Sequence, residues 1–150
     1  MNLRTLAPEW GIAVIRIMAG IIITFAGVQK LQAGFDAFTK SSVNFGLPMP
    51  EVWGILIPLL ETFGGLLLLL GLGARWVAFL FVIEYAVTSF ALKAVRPEPF
   101  GGFNSMRIDL MLWVSAIAIM LVGPGAVALD SLVLRRGRAQ MSVGRRAVST

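Results

Sequence analysis

The stretch Glu51–Ala74, EVWGILIPLLETFGGLLLLLGLGA, holds a single ionisable residue after its first position, Glu61. A helix needs about 20 mostly apolar residues to cross the hydrocarbon of a bilayer. Residues 51–71 meet that length, introduced by Pro50, a residue suited to a first helical turn. Gly71-Leu72-Gly73 leaves room only for a tight turn before a second apolar run over 74–95. Two spans joined this closely must run antiparallel, so the stretch predicts a membrane-embedded helical hairpin.

Working outward, a further span is expected over 9–31, entered through Pro8, and a shorter one over 105–122. The whole chain agrees with a lipid environment. Of its 150 residues 57% are hydrophobic and 14% charged, against roughly 25% charged in soluble domains, and its mean hydropathy is +0.84. A soluble domain this small has too little interior to hide so much apolar surface. The fold class expected is all-α, an antiparallel four-helix integral membrane bundle over 9–132, with a basic, disordered tail over 133–150. The first run is long, contains Arg16 and lacks a small-residue cleavage pattern, so it is a retained helix and not a secretory signal.

Two connections are longer. Residues 32–50 carry Phe35, Phe38 and Phe45 among Asp36, Lys40 and Ser41, which fits either a short amphipathic helix at the membrane surface or an irregular loop with buried aromatics. Residues 96–102, RPEPFGG, are expected to be non-helical. Four spans put both termini on one side, with seven Lys and Arg residues near the spans against five on the other. The positive-inside bias makes that side cytoplasmic and the location the bacterial cytoplasmic membrane. The tail's five arginines, from Arg135 onward, suit anionic head groups. No stacking aromatics accompany them, so nucleic acid is not expected as a partner.

Charges inside the spans cost about 2.5–3.5 kcal/mol each on insertion scales. Arg16 lies about two turns into the first span, Glu61 and Glu84 near the middle of the second and third, and Asp109 one turn into the fourth. Depth alone predicts two polar layers: a central cluster of Arg16, Glu61 and Glu84, and an outer group of Lys30 and Asp109, beside Lys93 and Arg107. Two carboxylates in one low-dielectric site rarely both ionise, so one of Glu61 or Glu84 is expected to hold a proton. The plainer alternative is that such pairs only keep a small bundle in register, at about 0.6 kcal/mol each. Gly20, Gly27, Gly64 and Gly65 permit close helix approach, and Pro58 predicts a kink one turn before Glu61. Trp10, Trp53, Trp76 and Trp113 are read as interface anchors. With no Cys and no His, the usual ligands for haem, iron–sulfur or zinc are absent; no metal site is expected, and any electrons must travel on a borrowed carrier.

Arg16 and Gly20 with Ala26–Leu31 (AGVQKL), Glu61–Gly65 (ETFGG) with the leucine run and Gly71–Arg75 (GLGAR), and Gly123–Asp130 (GPGAVALD) together resemble the DoxX family over about residues 10–132. Ala74 and Ala128 stand where small hydroxyl residues are more usual, Glu84 has no counterpart, and the basic tail lies outside the pattern. The resemblance implies a small four-helix bacterial membrane protein. Some relatives are associated with quinone-reducing thiosulfate oxidation and others with oxidative-stress complexes containing soluble redox proteins. Three readings follow. The chain is a non-haem membrane subunit of a quinone-linked oxidoreductase complex, inactive alone, with soluble redox proteins or another membrane subunit as partners. Alternatively it is a non-enzymatic scaffold or assembly factor. The third reading is a carrier of a small solute or lipid. Assembly as a homo-oligomer stays open.

Overall fold

A computed structural model describes residues 3–94 and 102–130, with side chains from Pro8 onward. The predicted tail over 133–150 and residues 96–101 of the last connection lie outside the described residues. All described elements are helical. The first helix, α1 (Leu3–Ala33), starts earlier than the sequence suggests and carries Pro8 inside it, although its membrane-crossing part still runs Pro8–Ala33. The other three spans are Pro50–Leu70, Ala74–Lys93 and Gly102–Val122. Gly102 is therefore helical, three residues ahead of the expected start.

Between the first two spans, α2 (Phe35–Asn44) settles the open alternative in favour of a helix. Gly34 and Gly46, at φ 89° and 61°, set it at an angle to its neighbours, in backbone that side chains other than glycine's rarely adopt. α2 packs on the start of the second span, where a Cβ at Gly54 would collide with Thr39.

The tight turn forms as expected. Leu72 N–H reaches Leu67 O at 2.9 Å and Gly71 N–H reaches Leu68 O at 3.1 Å, the paired bonds of a Schellman ending, with Gly71 left-handed at φ 71°. The first and second spans meet backbone to backbone. A Cβ on Gly20 would stand 2.8 Å from Leu69 N, on Gly65 2.7 Å from Thr24 N, and on Gly27 2.5 Å from Thr62 N. Small residues govern such contacts in membranes because no hydrophobic force draws helices together there. Ile23, Leu68, Ala78, Phe81, Ala116 and Ile119 fill the centre. Only 17–39% of the residues in the most apolar window of each span are buried by protein. Phe25, Phe63 and Met111 point outward, so lipid is the solvent of this bundle.

Two stretches open into wider, π-type turns: α3 (Pro50–Leu59) continues into Leu60–Gly64 before α4 (Gly65–Leu70), and α5 (Ala74–Ala86) continues into Val87–Lys93 before the last span, α6 (Gly102–Val122). The first follows Pro58, whose ring removes one ladder bond, and Thr62 Oγ1 donates to Pro58 O at 2.7 Å. One extra residue in the turn lets neighbours Glu61 and Thr62 both face inward, 3% and 8% exposed. Such turns cluster at functional sites.

Gly27→Val should force the first two spans apart and cost about 1–3 kcal/mol, as overpacking does. Gly11→Ala, where a Cβ meets nothing within 4 Å, should be neutral or stabilising by up to about 1 kcal/mol. Thermal unfolding of both variants in the same detergent measures the difference; equal midpoints would contradict the close helix contact.

Candidate functional site

The intramembrane charges divide between the two ends of the bundle. Arg16 is fully buried, on the wall where α1 faces the end of the second span. Its Nη1 donates to Leu68 O and Leu69 O at 3.1 Å each, and Nη2 to Ala126 O at 3.4 Å and Val127 O at 3.3 Å. Carbonyls in the last turn of a helix carry the negative end of its dipole, and Leu68 O accepts from the guanidinium as well as from Gly71 N–H. Val127 turns its carbonyl there at φ 55°, a conformation rare for a β-branched residue. Asp130 completes this end. Its Oδ1 and Oδ2 accept from Gly73 N and Ala74 N at 3.0 and 3.2 Å, capping the third span.

The expected central cluster is therefore corrected. Arg16 does not meet Glu61, which lies seven residues, about 10 Å, before Leu68 along the second span. The cation that reaches Glu61 is Lys30, near the far end of α1, with Nζ 2.5 Å from Oε2. The outer group is corrected too. Asp109 pairs with Lys93 at 2.6 Å, and Lys93 also donates to Ser105 O at 3.0 Å. Depth gave lysines too little reach: the four-carbon stem lets Lys30 lean inward from the last turn of its helix.

Lys30, Glu61, Glu84, Lys93 and Asp109 line one chamber of about 230 Å³ together with Tyr85 and Thr88. Phe38, Ser42 and Phe45, from α2 and the residue after it, also line it, and the Lys30 ammonium lies 5.1 Å from the centre of the Phe38 ring, a cation–π distance. Glu61 is 4% exposed in its side chain and Lys30 29%. Both lysines are matched by a carboxylate. Of the three carboxyls that line the chamber, Glu84 is the one in neither ion pair, and its Oε2 is buried without a hydrogen-bond partner. Buried polar atoms are nearly always bonded, so this one marks a place where chemistry is unfinished. Tyr85, the single tyrosine of the chain, stacks on Phe81 at 5.9 Å; its position next to Glu84 was the readable signal for it. Trp113 is more than an anchor: its Nε1 donates to Val82 O at 3.0 Å, tying the third span to the fourth.

The family model described as DoxX matches residues 11–94. The chain is 31% identical over 129 residues to the Bacillus subtilis protein named "Putative oxidoreductase CatD", covering 85% of this chain and 90% of that one. It is 27% identical over 152 positions to an uncharacterized membrane protein of Mycobacterium tuberculosis, covering 89% and 93%. To inner membrane protein YphA of Escherichia coli it is 28% identical over 123 residues, covering 77% and 84%. No solved structure matches.

Lys30→Met strands the Glu61 carboxylate in a low-dielectric wall and should cost about 3 kcal/mol; the double variant Lys30→Met/Glu61→Gln should return to within about 1 kcal/mol of the parent. Reversible unfolding by SDS in mixed micelles reads both. A double variant no more stable than the single one would show that the pair is not what the lysine serves.

Proposed function

The chain belongs to the DoxX family, and from that membership and the chamber together we propose that it is the non-haem membrane subunit of a quinone-linked oxidoreductase complex. The observation that carries the reading is Glu84: a carboxyl with a buried, unpartnered oxygen in a chamber whose two cations are already matched. Such a group can take up or release a proton without breaking an ion pair. Lys30 and Lys93 have further N–H groups to offer a carbonyl oxygen, and Glu84 can accept from a hydroxyl, so the donors and acceptors present fit a quinone head group. A quinone would supply the two-electron, two-proton couple that no side chain of this protein offers.

The residues then have distinct tasks. Lys30, held by Glu61 and the Phe38 ring, is the fixed donor. Glu84 exchanges the proton, and Leu47, Ile57 and Leu92 keep bulk water out. The Lys93–Asp109 pair closes the side formed by the third and fourth spans. Arg16 has no part in this site; it ties the opposite end of the bundle. Electrons come from a soluble redox protein or a second membrane subunit. The name of the Bacillus relative supports the redox half of the reading. In the same reading the chain sits in the cytoplasmic membrane, with its termini and the basic tail over 133–150 on the cytoplasmic side.

Protein purified gently from membranes should carry quinone in its lipid extract, and Glu84→Gln and Lys30→Gln should each weaken binding of an added quinone in nanodiscs about tenfold. Glu84→Gln should also remove a carboxyl signal from the redox-induced infrared difference spectrum. Absence of quinone from the extract together with no saturable binding by the parent protein would overturn the reading and favour a scaffold whose charges only hold the bundle.

A further inference from the structure

A second cavity, also about 230 Å³, lies between the second and third spans and is lined almost wholly by apolar side chains. Leu56, Leu80, Ile83 and Val87 form its walls and are 44–48% exposed on the membrane-facing surface, so the groove opens to lipid. It is continuous with the polar chamber: Leu47, Ile57, Glu84, Thr88 and Leu92 line both. The groove holds two polar features that its composition does not explain. Glu84 Oε2 and Trp53 Nε1 are both buried without a hydrogen-bond partner, and both residues line it. A buried donor and a buried carboxyl oxygen left open in one apolar groove call for oxygen functions on an occupant.

We propose that this groove seats the single apolar chain of an amphiphile that enters sideways from the bilayer, with its oxygen-bearing head at the Glu84 boundary of the chamber. The lipid-facing walls set the direction of entry, because α2 and Phe45 cover the chamber elsewhere. Volume sets the number of chains. An enclosed apolar cavity of about 150 Å³ holds one benzene, so a groove of about 230 Å³ seats part of one chain along its walls. The shared wall sets the chemistry of the head. A hydroxyl of the head donates to Glu84 Oε2, a hydroxyl or carbonyl oxygen accepts from the Trp53 indole N–H, and the chain runs along Leu56, Leu60, Leu80 and Ile83. This inference deepens the quinone reading and rests on it only for the identity of the head group.

A photoactivatable hexadecanol, cross-linked to the full-length protein in phosphatidylcholine nanodiscs and mapped by mass spectrometry, tests it. Label should concentrate in the second and third spans around Leu56 and Ile83, about tenfold above the more exposed positions Met111 and Val114. Decyl-benzoquinone should compete, and the corresponding quinone without a chain should not. Ile83→Trp and Leu80→Trp, both on a surface that already faces lipid, should each reduce groove labelling about tenfold at unchanged helical content; two variants guard against one misfolding. Even labelling of all lipid-facing surfaces, or labelling untouched by either tryptophan, overturns the inference even if quinone binds. Groove labelling that decyl-benzoquinone fails to compete leaves the groove standing and removes the quinone reading.

Discussion

A bilayer offers no water to a buried charge, so each ionic group within the spans must be satisfied by the protein itself. That constraint is met in two different ways at the two ends of this bundle. At one end Arg16 donates to four backbone carbonyls, two in the last turn of the second span and two in the turn at 126–127. At the other, Lys30 and Lys93 are neutralised by carboxylates. The first solution draws on backbone carbonyls instead of a carboxylate. The second assembles three acids and two bases around a cavity, and one acid is left over.

The asymmetry divides the molecule into a fastened end and an end that holds a polar cavity. Arg16, Asp130 and Arg75, whose Nη2 donates to Val122 O at 3.3 Å, cross-link the turn at 71–73 to the segment after the fourth span. The glycine contacts between the first two spans continue that rigid region toward the midplane. Beyond it both the second and third spans widen into π-type turns, at Leu60–Gly64 and Val87–Lys93, and the polar chamber and apolar groove lie beside those turns. Departures from the regular ladder free volume and re-aim side chains, which here brings Glu61 inward.

Much of this was legible in the chain. Apolar run lengths placed the four spans to within a few residues, and Gly71-Leu72-Gly73 dictated the hairpin. Gly20, Gly27 and Gly65 are points of close approach, as glycine in a helix that must pack without hydrophobic force implies. What misled was depth. Position along a span orders charges by height but says nothing of direction around the axis, and it treats a lysine as a point at its Cα. Depth alone therefore draws Arg16, Glu61 and Glu84 together although Arg16 turns toward Leu68. It likewise groups Lys30 with Asp109 although the lysine stem carries the ammonium to Glu61. The partners of Arg16 were invisible in principle, since backbone carbonyls leave no mark in a sequence.

The sequence by itself determined the solvent, the number of crossings, the antiparallel order and the presence of charges within the membrane, because each depends on composition and spacing along one helix. Only the tertiary structure decided which cation meets which acid, that α2 helps cover the chamber, and that Glu84 stands on the border between a polar and an apolar cavity. Those depend on the rotation of each helix about its own axis, a quantity set by small-residue contacts and widened turns between segments distant in the chain.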